Sequence, residues 1–259
     1  MKKLIILALA ASAAFVSCGR LYTLEQKAAD EKVIVGFCPS GMSASTQGFY
    51  RKCLGDAGAD SLVFFSEYVS DRKTARAYIR QVDALITPGS TSNDAKGRGA
   101  SEDLLIKEAL RRHKPVLGIC YGHQHVNIVK GGANSSVKKL APDTEILHRN
   151  VVDGHNVGIN HKEHNINIAD GSRLQEMLGG VDTIGVNTSH RYAIGKIGKG
   201  VKVTATADDG IIESIQGKGF IGVQFHPEYL YGKHGMEPFL GIFKAFVGDA
   251  KVARYKRGH

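Results

Sequence analysis

The sequence contains no apolar run of the roughly 20 residues that a membrane-spanning helix needs and no motif typical of nucleic-acid recognition. The chain carries a formal net charge of +9. Its basic residues are scattered, however, so we predict no nucleic-acid partner. It has no tryptophan and only four cysteines. With 42% hydrophobic and 23% charged residues over 259 positions, the composition is typical of a globular domain and excludes a disordered chain.

The N-terminus has the pattern of an export signal. Lys2 and Lys3 precede an apolar stretch, Leu4 to Ala14, which is too short to span a bilayer. Cys18 directly follows a small residue, an arrangement that resembles the lipidated cysteine of bacterial lipoproteins. We therefore predict a lipoprotein-type signal peptide at residues 1–17 and an exported protein of the bacterial cell envelope, anchored to the membrane by a lipid on Cys18. An ordinary signal peptide cut nearby is the alternative.

Two of the other cysteines fall inside predicted regular structure. Cys38 ends a predicted strand and Cys53 lies in the middle of a predicted helix. An exported protein permits a disulfide between them. Their positions favour buried, small hydrophobic side chains instead.

The first half of the chain alternates between strand-like and helix-like segments. Apolar runs predict strands at 32–37, 61–65 and 83–87, and a fourth just before residue 118; helices are predicted at 48–57, 74–81, 102–113 (capped by Ser101) and 123–130. This alternation predicts an α/β fold, a three-layer sandwich with a mostly parallel central sheet. In such folds, ligands bind at the C-terminal ends of the strands.

The second half is richer in short strands. Strand-like pieces are predicted at 145–148, 165–168 and 183–187, a hairpin at 201–215 and a strand at 220–225; helices are predicted at 173–178 and 236–247. We predict a single domain over residues 32–250, which follows a tether at 18–31 and precedes a basic, frayed tail at 251–259.

Cys120 lies in the segment Gly-Ile-Cys-Tyr-Gly-His-Gln, residues 118–124, between a predicted strand and a predicted helix. Gly118 and Gly122 occupy positions where a side chain would clash across a tight strand-to-helix turn. The positive end of the helix favours the nucleophilic thiolate. The pattern predicts that Cys120 is a nucleophile, with a buried structural cysteine as the alternative.

A possible base for this nucleophile follows much later in the chain. In an extended segment, His226 and Glu228 would point the same way, so the carboxylate could orient the imidazole. The acid follows the histidine by two residues, whereas in α/β-hydrolases the acid precedes the histidine. This order excludes that fold.

The loop Pro88-Gly89-Ser90 follows a predicted strand end. Its backbone N–H groups, together with the N–H of Tyr121, are suited to hold a tetrahedral oxyanion.

Taken together, the segments 118–124, 88–90 and Gly-Val-Gln-Phe-His-Pro-Glu at 222–228 resemble the class I glutamine amidotransferase fold. Within that fold, segments 164–174 and 186–194 resemble the γ-glutamyl hydrolase, or peptidase C26-like, family. The resemblance extends over about residues 32–247 and implies a flavodoxin-like sandwich.

The resemblance implies a role for each matching residue. Cys120 would be the nucleophile, His226 the general base and then acid, and Glu228 the group that orients the histidine. The amides of Gly89 and Tyr121 would form the oxyanion hole.

The resemblance also implies a substrate pocket. Gln124 would line the glutamyl site, and Ser90, His190 and Arg191 would contact the substrate. Arg191 and Tyr192 replace the second histidine and the glutamine of the family's pattern, so the leaving group is not specified.

The function implied is hydrolysis of a γ-glutamyl amide or peptide bond through a glutamyl-thioester. The substrate would be a small γ-glutamyl molecule, no cofactor would be required, and the family resemblance suggests a homodimer. One alternative is a glutaminase subunit that supplies ammonia to a synthetase. Another is a catalytically inactive binding lipoprotein of the same fold.

Eleven histidines raise the question of a metal site. His161 and His164 flank Glu163, and His123 and His125 lie beside the cysteine turn. We predict no metal, because the His161 region has a strand pattern and no third ligand is specified.

Overall fold

The computed structural model describes residues 24–90, 97–153, 155–233 and 236–258. The predicted signal peptide and Cys18 lie outside the described residues. The strands are β1 (Ile34–Phe37), β2 (Ser61–Phe64), β3 (Ala84–Thr87), β4 (Val116–Ile119), β5 (Ala133–Ser136), β6 (Val151–Val152), β7 (His155–Asn156), β8 (His164–Ile168), β9 (Thr183–Val186), β10 (Tyr192–Lys196), β11 (Lys202–Ala207), β12 (Ile212–Gly217) and β13 (Phe220–Val223). The α-helices are α1 (Ala44–Asp56), α2 (Arg72–Arg80), α3 (Arg98–Arg111), α4 (Tyr121–Val129), α5 (Val137–Leu140), α6 (Arg173–Met177), α7 (Pro227–Leu230) and α8 (Leu240–Gly258).

A nine-stranded sheet with the order β2-β1-β3-β4-β13-β12-β11-β8-β9 forms the centre of the described part. The first five strands in this order pair in parallel, and the last four continue the sheet by antiparallel pairing. Within the sheet only β12 and β8 reverse direction, so seven strands run the same way. The predicted α/β fold with a mostly parallel central sheet is confirmed.

Helices cover both faces of the parallel half. Because side chains alternate along a strand, Ile86 packs into the cluster that also holds Tyr50 of α1 and Phe243 of α8. The neighbouring Leu85 packs on the opposite face with Ile79 of α2 and other residues of α2, α3 and α4. The sheet is therefore the middle layer of three, and the ends of its strands remain available for a site.

Helix α3 begins earlier than the capping pattern predicts. It starts at Arg98, after Gly97 in the left-handed conformation (φ 94°). Ser101 is therefore inside the helix, where its hydroxyl accepts a hydrogen bond from the amide of Val69 at 2.9 Å. The prediction that Ser101 caps this helix is wrong, because its side chain anchors a neighbouring loop instead.

The two ends of the described chain are more ordered than the predicted tether and tail. Residues 24–28 are helical and Ala28 is buried. Helix α8 continues to Gly258, and Arg254 and Arg257 pair with Asp83 at 3.0 and 2.9 Å. These ion pairs give the basic C-terminal segment a docking point on the sheet.

Cys38 and Cys53 are both buried and carry free thiols. Their burial agrees with the prediction that they act as small hydrophobic side chains. No helix within the described ranges is both long and apolar enough to cross a bilayer.

Candidate active site

Cys120 occupies the sharp turn between β4 and α4. Its backbone has φ 52° and ψ −101°, a conformation that is costly for a residue with a side chain and that persists only where neighbours enforce it. A Cβ on Gly118 would lie 2.7 Å from the carbonyl oxygen of Gly122, and one on Gly122 would lie 1.9 Å from that of Thr87. Both glycines are therefore required for the backbone to pass this close. The strained turn is as predicted.

His226 and Glu228 lie directly after β13, the parallel neighbour of β4. Nδ1 of His226 donates to Oε1 of Glu228 at 2.8 Å. The segment is not extended as predicted: His226 is the N-cap of α7, Pro227 begins the helix and Glu228 lies in its first turn. Helical curvature, not strand alternation, brings the carboxylate back to the imidazole.

Tyr50 of α1 completes the surroundings of this carboxylate. Its hydroxyl donates to Oε1 of Glu228 at 3.0 Å, and both residues are buried. Burial and the charge of Glu228 raise the pKa of Tyr50 well above its usual range, so the hydroxyl stays protonated and remains a donor. Glu228 is thus fixed as an acceptor that faces His226.

The electrostatics of His226 favour its charged form. Burial by itself disfavours an imidazolium, but the negative charges of Glu228 and of Cys120 outweigh burial and raise the pKa of His226 from 6.5 to about 10. The Cys120 side chain also hydrogen-bonds to the imidazole. The imidazole is therefore suited to hold a proton beside the Cys120 side chain.

The main chain of His226 is held by Asn187. The Asn187 side chain accepts from the amide of His226 at 2.8 Å and donates to its carbonyl at 2.9 Å. It also donates to the carbonyl of Ile159 at 2.6 Å. Asn187 is fully buried, so this two-way contact fixes the start of α7 and the position of the imidazole.

The loop that contains Gly89 packs directly against the imidazole. A Cβ on Gly89 would lie 2.4 Å from Cε1 of His226, so only glycine fits there. Arg98 donates to the carbonyls of Pro88 and Gly89 at 2.9 and 3.2 Å, and pairs with Glu102 at 2.9 Å. This buried arginine therefore orders the loop. Residues 91–96, which continue it, lie outside the described part.

The other predicted oxyanion residue, Tyr121, is the first residue of α4 and follows Cys120 directly. Its ring lies 4.6 Å from the guanidinium of Arg98 and 4.4 Å from the ring of His125. The structure thus brings the Gly89 loop, Cys120, Tyr121 and His226 to one edge of the sheet. Half-buried Ser90 ends the described part of the loop.

Gln124 lies one helical turn after Cys120, and its backbone amide donates to the Cys120 carbonyl at 3.2 Å. Its side-chain NH₂ donates to the carbonyl of Tyr192 at 2.6 Å and to Oε1 of Gln224 at 3.0 Å. The side chain is buried and fixed in place. It links the cysteine turn to the loop that contains His190.

His190 and Arg191 differ in their exposure. Arg191 is exposed, whereas His190 is buried and its Nδ1 contacts the carbonyl of Tyr192 at 3.1 Å. His190, Arg191 and Tyr192 line a cleft of about 400 Å³. The cleft is also lined by Ser136, Val137, Lys138, Ile146, Leu147, His148 and Arg149. The cleft contains three cationic side chains, which suit an anionic group on a ligand.

The histidines that were candidates for metal ligands from the sequence have different surroundings in the structure. His161 pairs with Glu163 at the surface. His123 is buried, and burial lowers its pKa to about 4. His125 pairs with Asp103 at 3.2 Å. A different set, His148, His190 and Glu213, brings its donor atoms within 4.8 Å of one another.

Several residues of the site could not be identified from the sequence. Tyr50 is 178 positions from Glu228, and no local pattern connects them. Arg98 follows the loop it supports, but nothing nearby predicts that its guanidinium is buried. Asn187 lies inside the segment 186–194, which resembles the family pattern. That resemblance is the one sequence feature that could have identified Asn187 as part of the site.

Comparison with known proteins identifies a family model that spans the candidate site. Residues 40–228 match the model of the Peptidase C26 family. NtpR of Enterococcus hirae is 29% identical over 200 residues, which cover 70% of this chain and 80% of that protein. The gamma-glutamyl-gamma-aminobutyrate hydrolase PuuD of Escherichia coli is 26% identical over 185 residues, which cover 64% and 71% of the two chains.

A solved structure supports the architecture. A candidate GMP synthase component from Thermoplasma acidophilum superposes with a TM-score of 0.63 and 15% sequence identity, covering 88% of this chain and 99% of that chain. At this identity the likeness concerns the fold alone, which is that of the class I glutamine amidotransferases.

Proposed function

The chain belongs to the Peptidase C26 family, and from that premise we propose that it is a cysteine hydrolase that cleaves a γ-glutamyl amide bond. Its relative PuuD is named as a hydrolase of such a bond, that of gamma-glutamyl-gamma-aminobutyrate. The observation that carries the proposal is the strained Cys120 facing an imidazole that Glu228 orients at 2.8 Å. A merely structural cysteine has no need of such a backbone or of such a partner.

In the proposed reaction, the Cys120 thiolate attacks the γ-carbonyl carbon and a C–S bond forms. The backbone amides near Gly89 and at Tyr121 stabilise the oxyanion of the tetrahedral intermediate. The imidazolium of His226, with Nδ1 committed to Glu228, gives its Nε2 proton to the leaving nitrogen as the C–N bond breaks. A glutamyl-thioester remains on Cys120.

The second half of the reaction releases the acid. His226, now neutral, takes a proton from water, and the resulting hydroxide adds to the thioester carbonyl. The C–S bond breaks, the thiolate is restored, and the γ-carboxyl group of glutamate or of a glutamyl product leaves. Each step uses only the substrate, water and residues of this chain.

The test is hydrolysis of a small panel by the purified full chain: γ-glutamyl-γ-aminobutyrate, a γ-glutamyl peptide, a folyl-polyglutamate and a γ-glutamyl cell-wall fragment. We expect release of the amine from at least one member and a loss of at least about 10³-fold in kcat/KM for Cys120→Ala. Cys38→Ala is the matched control, since it removes a buried thiol from another strand end and should retain activity. Equal rates for both variants would refute the proposal.

Glutamine hydrolysis for a synthetase partner is the second candidate, supported by 34% identity over 160 residues to the glutamine-hydrolyzing GMP synthase of Dictyostelium discoideum, of which the match covers 20%. The same chemistry would release ammonia from free glutamine. A glutamine-analogue electrophile labels Cys120 in both cases, as mass spectrometry can show. Ammonia release from glutamine with no turnover of the γ-glutamyl panel would favour this candidate. No labelling at all would favour a binding protein.

We also propose that the protein is exported and anchored through a lipid on Cys18. The basic and apolar segments of residues 1–17 support this, and the enzyme would then act in the cell envelope. Metabolic labelling with a fatty acid should mark the wild-type chain and not Cys18→Ala. Label on both proteins, or on neither, would contradict the anchor.

A further inference from the structure

A buried cluster of nitrogen and oxygen donors lies in the antiparallel half of the molecule, apart from the Cys120–His226 pair. Glu213 on β12 is fully buried, and His148 and His190 on two loops are nearly so. His148 Nδ1 lies 3.3 Å from His190 Nε2 and 3.6 Å from Oε1 of Glu213, and His190 Nε2 lies 3.4 Å from the same oxygen. The three donor atoms thus form a nearly equilateral triangle.

The hydrogen bonds around this triangle fix the tautomers of both histidines. His190 Nδ1 contacts the carbonyl of Tyr192 at 3.1 Å, and a carbonyl can only accept, so Nδ1 carries the proton. His148 Nε2 contacts Oδ2 of Asp209 at 2.8 Å, which places its proton on Nε2. In the neutral form of each ring, the remaining nitrogen presents a lone pair to the other ring and to the carboxylate.

Three electron-pair donors that face one another in a buried space need a shared positive charge. A proton is a poor fit, because charge-assisted N–H···O bonds are about 2.7–2.9 Å long and the two nitrogen–oxygen separations are 3.4 and 3.6 Å. Neither carboxylate oxygen of Glu213 has a hydrogen-bond partner within the described residues. The centre of such a triangle is about 2.0 Å from each corner, which matches the bonds of Zn²⁺ to histidine and carboxylate.

We propose that His148, His190 and Glu213 bind a divalent transition-metal ion of the zinc class. Two imidazoles and one carboxylate form a common donor set for such ions. Asp209 supports His148 as a carboxylate behind a metal-bound histidine does, and it is itself held by the hydroxyl of Thr144 and the amide of Ile211.

The fourth coordination position would face the cleft that both histidines line. Three protein ligands leave one position for water or for a ligand oxygen. The nearby cationic groups of Lys138, Arg149 and Arg191 favour a carboxylate-bearing ligand there. His164 also approaches Oε1 of Glu213, at 3.5 Å, but it does not belong to the group whose donors are all mutually close.

The site does not depend on the hydrolytic chemistry of Cys120. One link to the candidate pocket is the Tyr192 carbonyl, which accepts from both His190 and Gln124. Another is Gln224, whose amide donates to the Glu213 carbonyl and whose side chain accepts from Gln124. Metal binding can therefore be measured on the Cys120→Ala variant. A failure of hydrolysis and a failure of metal binding would then be separate results.

The test is metal binding by the purified, tag-free full chain. We expect one Zn²⁺ per chain by elemental mass spectrometry and by titration calorimetry, and a visible spectrum of four-coordinate cobalt after Co²⁺ replacement. His190→Ala and His148→Ala should lose the bound ion. Asp209→Ala, which removes only the supporting carboxylate, should weaken binding by about 10–100-fold.

The control variant is His161→Ala, which removes an exposed histidine outside the cluster and should retain one Zn²⁺. Circular dichroism of each variant separates loss of the site from loss of the fold. Wild-type protein that binds no Zn²⁺ or Co²⁺ would overturn the proposal without any variant. Equal binding by His190→Ala and His161→Ala would do the same, because it would assign the ion to the surface.

Discussion

The two halves of the central sheet build their polar clusters in opposite ways. In the parallel half, Cys120 and His226 each follow a strand closely, and the pairing of β4 with β13 brings the two strand ends together. In the antiparallel half, Glu213 lies within a strand, and its neighbours His148 and His190 come from loops. The first cluster follows from local motifs plus strand order. The second has no local motif, because no two of its members are neighbours in the sequence.

The largest expected effect on Cys120 comes from Gly122→Ala, which distorts the cysteine turn and should abolish its reaction. The added methyl group would lie 1.9 Å from the Thr87 carbonyl oxygen, so the backbone must move. We expect a loss of about 1–3 kcal/mol in the free energy of unfolding and loss of Cys120 alkylation. Denaturant unfolding and mass spectrometry measure the two effects.

The matched control is Gly48→Ala in α1, where nothing lies within 4 Å of the added carbon. It should stabilise the protein by about 0.5–1 kcal/mol and leave alkylation unchanged. Similar behaviour of the two variants would show that the turn does not depend on its glycine.

The second prediction concerns Glu228→Gln, which keeps the shape of the site and removes its charge. Without the negative charge of Glu228, less remains to offset the effect of burial, so the pKa of His226 falls. The imidazolium then loses its proton at a lower pH. We expect kcat/KM to fall by roughly 10²–10⁴-fold and the alkaline limb of the pH–rate profile to move toward neutrality.

The same substitution should change how stability depends on pH. The pKa of His226 rises from 6.5 to about 10 in the folded protein. Its stabilising contribution is therefore complete below about pH 6.5 and declines as the pH approaches 10. Glu228→Gln should flatten this decline in unfolding experiments. An unchanged pH profile for both rate and stability would mean that Glu228 does not act on His226.

A smaller effect is expected for Asn187→Ala. This change removes the bonds to the amide and carbonyl of His226 and leaves both groups buried, at a cost of about 1–3 kcal/mol. The loss in kcat should exceed the change in KM, since the imidazole shifts. Asn167→Ala, which removes an exposed bond to Asp208, is the control; equal losses would argue against a positioning role.

The smallest effect is expected from metal removal. It tests whether the proposed metal site in the antiparallel half acts independently of Cys120 in the parallel half. Chelation should lower Tm by a few degrees, because an ion bound only to the folded state stabilises it by mass action. The alkylation rate of Cys120 should not change. A chelator that slows alkylation would show that the halves are coupled, through Gln124 and Tyr192.

The structure bears out the alternation of strands and helices in the first half but not every boundary. Helix α8 extends past the predicted end at residue 247 because Arg254 and Arg257 dock on Asp83. Helix α3 starts before Ser101 because the Arg98 side chain is buried against the Gly89 loop. Such contacts join distant segments and leave no periodicity in the sequence.

The sequence by itself determined the cysteine turn, the histidine–glutamate pair and the α/β class. These features depend on steric exclusion at Gly118 and Gly122 and on the hydrophobic pattern of the strands. Both effects act over a few residues, so they can be recognised from the local sequence. Only the tertiary structure decided that Tyr50 holds Glu228, that Asn187 holds His226, and that His148, His190 and Glu213 converge. Those contacts depend on which strands become neighbours, and long-range packing sets that order.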